Sequence, residues 1–367
     1  MMTICIKTMN YSHNNHRIFV LMCISLFLPG ISACSSIVYY THSVKGQLEI
    51  IQKSVPIQQI LDNNSLPEQV SIQLAEVRGI RDFAIVELGL PDNDSYRLYA
   101  DLGRDYVVWN VFATPELLLK SREWCYFIAG CLSYRGYFSK EGALKLAAEL
   151  ESQGYDVFVG GVTAYSTLGW FADPVLNTML HWDITYLAKV IFHELSHQKI
   201  YIKNDTEFNE AFAETVALIG VERWLEKHGT IKSRKEFIQK QSREDSFVDL
   251  VLLYRQQLDE LYQSSLTEED KRTKKNIILQ DMVNEYQKIR SDWVTESIYD
   301  TWFALGINNA KLMAVSTYRK LVPGFRKLLR TVDNDLASFY KLVENLGQCS
   351  HEQRREILLS GSNQFSC

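Results

Sequence analysis

The stretch that most constrains this chain is residues 186–198, Tyr-Leu-Ala-Lys-Val-Ile-Phe-His-Glu-Leu-Ser-His-Gln. Leu187, Val190, Ile191, Phe192 and Leu195 make it apolar at helical spacing, yet His193, Glu194 and His197 put three ionisable groups into it. Residues four apart project from one face of a helix, so the two imidazoles stand together. Ionisable groups in apolar surroundings need partners. Two imidazoles so spaced suit zinc, and Glu194, beside the first, can take a proton from a water at the metal. The expectation is a helix packed against a second element that completes the ligand set.

The nearest such element is Phe-Asn-Glu-Ala-Phe-Ala-Glu at 208–214, which begins eleven residues after His197. Glu210 and Glu214 share one helical face with Ala213, Ala217 and Val221, whereas Phe208, Phe212, Val216 and Ile219 line the other. Either carboxylate can supply a third ligand; the other reading pairs them with Lys or Arg across a packed interface, or has them cap a neighbouring helix. Thr206 is the expected N-cap of this helix, and Gly229 its stop.

Before this helical region the chain reads differently. Residues 46–61 form a short amphipathic entry, 95–100, 105–112 and 155–165 are aromatic and β-branched as strands are, and 140–153 has a helical period. Gly160 and Gly161 interrupt the third strand, either to let a second backbone approach closely or as a bulge or turn. From Asp183 onward the pattern is helical almost throughout. Phe247, Val251, Tyr254, Leu258 and Leu261 begin a helical hairpin over 247–290, with Thr267 and Asp270 capping the return helix.

The N-terminus has a signal-peptide layout: Lys7, His13, His16 and Arg17, then an apolar run over 18–29 that is shorter than the ~18–20 residues needed to span a bilayer. Ile31-Ser-Ala-Cys34 resembles the bacterial lipobox, which would make 1–33 a signal peptide, Cys34 the lipidated residue and 34–60 a lipid-anchored segment, leaving 61–367 as the main domain. Simple secretion with cleavage nearby is the other reading. Ser35, in place of Asp, resembles lipoproteins kept at the outer membrane and facing the periplasm. Export leaves Cys125, Cys131, Cys349 and Cys367 as an even set, either two local bridges (125 to 131, 349 to 367) or four reduced thiols. A net charge of -5 with no Lys/Arg block argues against nucleic acid as a partner.

His-Glu-Leu-Ser-His followed by Asn209-Glu210 and then Glu214 resembles the gluzincin arrangement, in which the Glu after Asn is the third zinc ligand and the later acid orients a ligating His. The exported region is also similar to a family of bacterial lipoproteins described as predicted aminopeptidases with a zincin-like fold. Residues 102–112, 131–138, 160–174, the His-Glu-x-x-His stretch and 308–323 carry that likeness. The resemblance implies an α+β, zincin-like metallopeptidase, mostly helical with a small sheet before the motif helix. It implies one zinc ion, a peptide or protein substrate, and a strand at 159–165 (Gly160, Gly161, Tyr165) lying beside that substrate. Tyr318, Tyr165 and Arg135 are the candidate donors to a developing oxyanion. The Gly-x-Met-Glu-Asn strand of gluzincin aminopeptidases is missing, so an exopeptidase preference does not follow. A non-catalytic envelope lipoprotein that binds peptides or partner proteins is the rival reading.

Overall fold

The computed structural model describes residues 30–63, 65–126, 130–167, 169–293, 297–316, 320–361 and 367, with side chains from residue 39 onward except that of Ser316. The chain divides into two compact units at residue 50. In the first, the described residues belong to helix α1, Gly30–Lys53. The apolar run at 18–29 and the side chain of Cys34 lie outside the described residues, among which no helix is long and apolar enough to cross a membrane.

The second unit is mostly helical with small sheets, an α+β architecture. Its entry is not the single amphipathic element expected over 46–61: α1 ends at Lys53, β1 (Ser54–Pro56) follows, and α2 (Ile57–Asn63) restarts the helix. Pro56 explains the break, because proline lacks an N–H and pushes the residue before it into extended backbone. β1 pairs antiparallel with β2 (Leu98–Ala100), which pairs parallel with β8 (Val175–Leu176). β2 starts later than the expected residue 95 because Tyr96 has a positive φ of 61°, with its N–H donating to the Asp173 carbonyl at 2.6 Å.

A second sheet has the order β6 (Arg135–Tyr137), β3 (Val108–Pro115), β7 (Tyr155–Val162), all antiparallel. Helix α4 (Lys140–Ser152) covers one side of it, packing Ala143 and Leu150 against Val111 and Ala113. Gly160 and Gly161 lie in regular register opposite Asn110 and Trp109, so β7 has no bulge there. The Tyr106 ring occupies the space that a Cβ at Gly161 would need, its nearest atoms at 2.5 Å. A two-stranded ribbon, β4 (Trp124–Tyr126) with β5 (Gly130–Leu132), sets Cys125 opposite Cys131, and the two form a disulfide. A second disulfide joins Cys349 to Cys367.

The main core forms where α5 (Ile184–Lys199) packs on α6 (Thr206–His228): Leu187, Ile191, Phe192 and Leu195 meet Phe208, Phe212 and Val216, all fully or almost fully buried. Gly220 is needed for this contact. A Cβ there would stand 2.6 Å from Phe192 and 2.7 Å from Leu88, so glycine is what lets the helices close. Beyond α6, α7 (Ile231–Gln263) and α8 (Glu268–Ser291) form the long hairpin with a core of its own, including Phe247, Val251, Leu258, Met282 and Tyr286. Thr267 caps α8 as expected, accepting from the Asp270 N–H.

Buried polar groups tie the hairpin to the second sheet. Lys275 Nζ reaches Asp156 Oδ2 at 2.6 Å and the Glu116 carbonyl at 2.9 Å. Asn309, at the start of α10 (Asn309–Ser316), donates to the Pro115 and Glu116 carbonyls and accepts from the Tyr262 hydroxyl. This gives residues 308–310 a physical role that periodicity did not reveal.

Candidate metal centre

The site is built where α5 and α6 face each other. Asp183 caps α5, accepting from the Tyr186 N–H at 2.9 Å. The cap of α6 is Asp205 rather than the expected Thr206: its Oδ1 accepts from the Phe208 N–H, while Oδ2 takes a 2.8 Å hydrogen bond from Arg354. A carboxylate at a helix N-terminus meets the free N–H groups and the positive end of the dipole, and a buried carboxylate also needs a cation, which a threonine would not. Asn209 clasps the loop between the helices, bonding both the N–H and the carbonyl of Ile202 at 2.7 Å. That clasp fixes the rotation of α6 one residue before Glu210.

Three donor atoms then converge. His193 Nε2 is 3.1 Å from His197 Nε2 and 3.2 Å from Glu210 Oε2, which is 3.6 Å from His197 Nε2. Among the described residues His193, His197 and Glu210 form a group able to hold a metal ion. Burial alone would lower the pKa of His193, but Glu210, Glu214 and Glu194 outweigh it and push it up to about 10. Burial would likewise raise Glu210, but the two imidazoles hold it down at about 2. Without a cation the carboxylates keep a proton on His193; a metal ion would take that proton's place.

Glu214 lies one turn further along α6, buried, with Oε2 3.7 Å from His193 Nδ1 and Oε1 2.8 Å from Lys189 Nζ. It therefore faces the ring nitrogen turned away from the ligand cluster, and it also has the lysine partner that was the alternative reading of its role. Lys189 reaches Glu244 of α7 as well, at 3.6 Å. Lys189 stands four residues before His193 on the same face of α5, a spacing by which the sequence could have revealed it.

Glu194 is half-buried beside the cluster, with no hydrogen bond to another described residue. Its charge acts on Tyr96 and on Asp173, whose carboxyl burial pushes up to about 6. Gln198, one turn beyond Glu194, is held by Asn93 at 2.6 Å, by Ser95 at 3.3 Å and by Asp173 at 3.4 Å. Sequence reading missed this bracket, because Asn93, Ser95 and Asp173 lie in loops with no periodicity to mark them.

The other expected residues are described by their own contacts. Tyr165 is half-buried with its ring edge-on to Phe138 at 5.4 Å, and Arg135 lies over the Tyr137 ring on β6. Tyr318 lies outside the described residues.

A helix pair that presents two imidazoles and a carboxylate to one point, with a second carboxylate beside them, could hold a metal ion. Residues 38–358 match the model of the family described as "Putative aminopeptidase", and the chain belongs to that family. No curated protein and no solved structure matches the chain.

Proposed function

We propose that this protein is a zinc-dependent peptidase with a zincin-like fold, and that it is held at the bacterial envelope by a lipid on Cys34. The observation that carries the reading is the convergence of His193, His197 and Glu210 beside Glu194. Nitrogen and oxygen donors about 2.0–2.1 Å from a tetrahedral zinc ion stand roughly 3.3 Å apart from one another. The separations of 3.1, 3.2 and 3.6 Å fit that size, so His193, His197 and Glu210 would be the residues that hold the ion.

A bound zinc ion supplies a Lewis acid that polarises the scissile carbonyl and brings the pKa of water toward neutrality. The protein's own groups do the rest. Glu194 takes a proton from the attacking water and delivers it to the leaving amine. Glu214 holds His193 in the tautomer that keeps Nε2 toward the cluster, and the Lys189 ammonium holds Glu214 in place. The apolar packing of Phe192 and Leu195 behind the motif fixes these side chains before substrate arrives. The family's description supports peptide-bond hydrolysis, and the lipobox-like Ile31-Ser-Ala-Cys34 supports the anchor.

Metal analysis together with a peptide-hydrolysis screen tests the reading. Wild-type protein should carry about one zinc per chain; Glu194→Gln should keep the metal while hydrolysis falls by about 100-fold or more, the scale of general-base loss. Wild-type turnover in Glu194→Gln would remove the mechanism. Zinc without turnover on any peptide would favour a non-catalytic peptide-binding lipoprotein.

A further inference from the structure

In the loop between β7 and β8, none of whose described residues belongs to the ligand group, Trp170 is 66% exposed and Phe171 50%. Isolated exposed apolar side chains are ordinary. Two adjacent aromatic rings facing solvent are not, since each would bury about 150–250 Å² if it packed inward. The loop is also tightly held. Asp173, 2% exposed, accepts from the Thr167 N–H at 3.0 Å, the Thr167 hydroxyl at 2.7 Å and the Ser166 hydroxyl at 3.2 Å. The Thr167 hydroxyl oxygen accepts from the Phe171 N–H at 3.0 Å, and the Thr167 carbonyl from the Trp170 N–H at 3.1 Å. Gly169 closes the turn at a φ of +82°. The two rings are thus held out by a pinned backbone.

The same bracket ties the turn to α5 at Gln198. Asp173 also holds Gln198, which follows His197 directly and stands one turn beyond Glu194. A Cβ at Gly169 would lie only 3.7 Å from the Gln198 side chain. The one charged group of the turn, Asp173, is buried and committed to internal hydrogen bonds, so the tip presents aromatic surface and no charge. Rigid aromatic anchors with little conformational entropy to lose are the side chains that most often dominate recognition.

We propose that Trp170 and Phe171 form an apolar subsite for a bulky aliphatic or aromatic side chain of the peptide, next to the bond that is cut. The proposal rests on the peptidase reading above and names its substrate class: peptides with Leu, Met or Phe at that position, in preference to Gly, Asp or Lys. Losing or gaining apolar contact in such a pocket changes selectivity by about 10- to 200-fold.

The test uses full-length, zinc-loaded protein and a mixed peptide library, with cleavage positions read by mass spectrometry. Wild type should prefer bulky apolar residues by at least about 10-fold, Trp170→Ala/Phe171→Ala should lose that preference while keeping turnover on small-residue peptides, and Trp170→Leu/Phe171→Leu should recover most of it. In parallel, fluorescently labelled Leu- and Gly-containing peptides are titrated by anisotropy into Glu194→Gln, with and without the double alanine change. Zinc content of every variant is measured to exclude unfolding. Tighter binding of the Leu peptide that depends on the two rings, with no cleavage anywhere, would uphold the subsite and defeat the peptidase reading. Cleavage with a preference that the alanine variant retains would uphold the peptidase and defeat the subsite. Neither cleavage nor ring-dependent binding would overturn both. Loss of binding to phosphatidylethanolamine–phosphatidylglycerol vesicles in the alanine variant, with peptide selectivity unchanged, would reassign the rings to a membrane surface.

Discussion

At the residue scale the question left by the sequence was which carboxylate on α6 completes the cluster. Glu210 Oε2 approaches both imidazoles, whereas Glu214 approaches the far nitrogen of His193 and has Lys189 as another partner. Glu210→Ala should therefore yield nearly metal-free protein, and Glu214→Ala should bind zinc about 10- to 100-fold more weakly, as outer partners of metal ligands do. A chelator competition that ranks the two the other way would give the ligand role to Glu214. The metal-free protein carries a pH signature of its own. His193 is raised from 6.5 to about 10, so its contribution to stability is complete below pH 6.5 and is lost as pH rises through 10. Glu210 is lowered from 4.5 to about 2, so its contribution is complete above pH 4.5 and is lost as pH falls through 2. Chelated wild type should lose thermal stability between pH 6 and 10 more steeply than His193→Gln/Glu210→Gln, and parallel pH profiles of the two would refute the pair. Zinc binding at pH 7 should release a proton, visible as a buffer-dependent heat in calorimetry.

At the element scale, α6 is aimed by a partner remote in sequence. Arg354 of α13 (His351–Ser360) reaches Asp205 at 2.8 Å and also donates to the Cys349 carbonyl at 2.5 Å, beside the disulfide to Cys367. Removing one member of a buried pair leaves the other charge uncompensated, so Arg354→Ala should cost about 3–5 kcal/mol in denaturant unfolding. Asp205→Asn keeps the cap acceptor and should cost less; equal losses would show that Asp205 acts only as a counter-charge. This pairing also marks the limit of what the sequence disclosed. Periodicity located α4, β7, α5, α6 and the hairpin, because each buries one face and repeats at 3.6 or 2 residues. It placed the two imidazoles and both α6 carboxylates for the same reason. It misassigned the α6 cap and the start of β2, and it gave no sign of the Gln198 bracket. Those features depend on contacts between segments far apart in sequence: Arg354 with Asp205, Asp173 with Tyr96, and Asn93 with Gln198.

At the scale of the whole molecule, the remaining question is how the domain is held. The proposed lipid anchor rests on the junction at 31–34, which has two small residues before Cys34, and on an apolar run at 18–29 shorter than the ~18–20 residues that span a bilayer. One acyl chain gives only marginal, reversible membrane binding, so the proposed anchor at Cys34 would need more than one chain to hold the protein stably. Wild-type protein should therefore partition wholly with membranes in a bacterial host, and mass spectrometry of its N-terminal peptide should find an acylated Cys34 as the first residue. Cys34→Ala removes the only thiol that can be acylated there. It should accumulate as an uncleaved precursor or appear in the soluble periplasmic fraction, with the acylated peptide absent. Because residues 50–367 form a compact unit of their own, zinc content and any peptide hydrolysis should be the same for the released protein as for the anchored one. Membrane retention of Cys34→Ala in high salt, with Cys34-independent acylation, would defeat the lipoprotein anchor. Loss of zinc on release would instead mean that the metal site depends on the first unit.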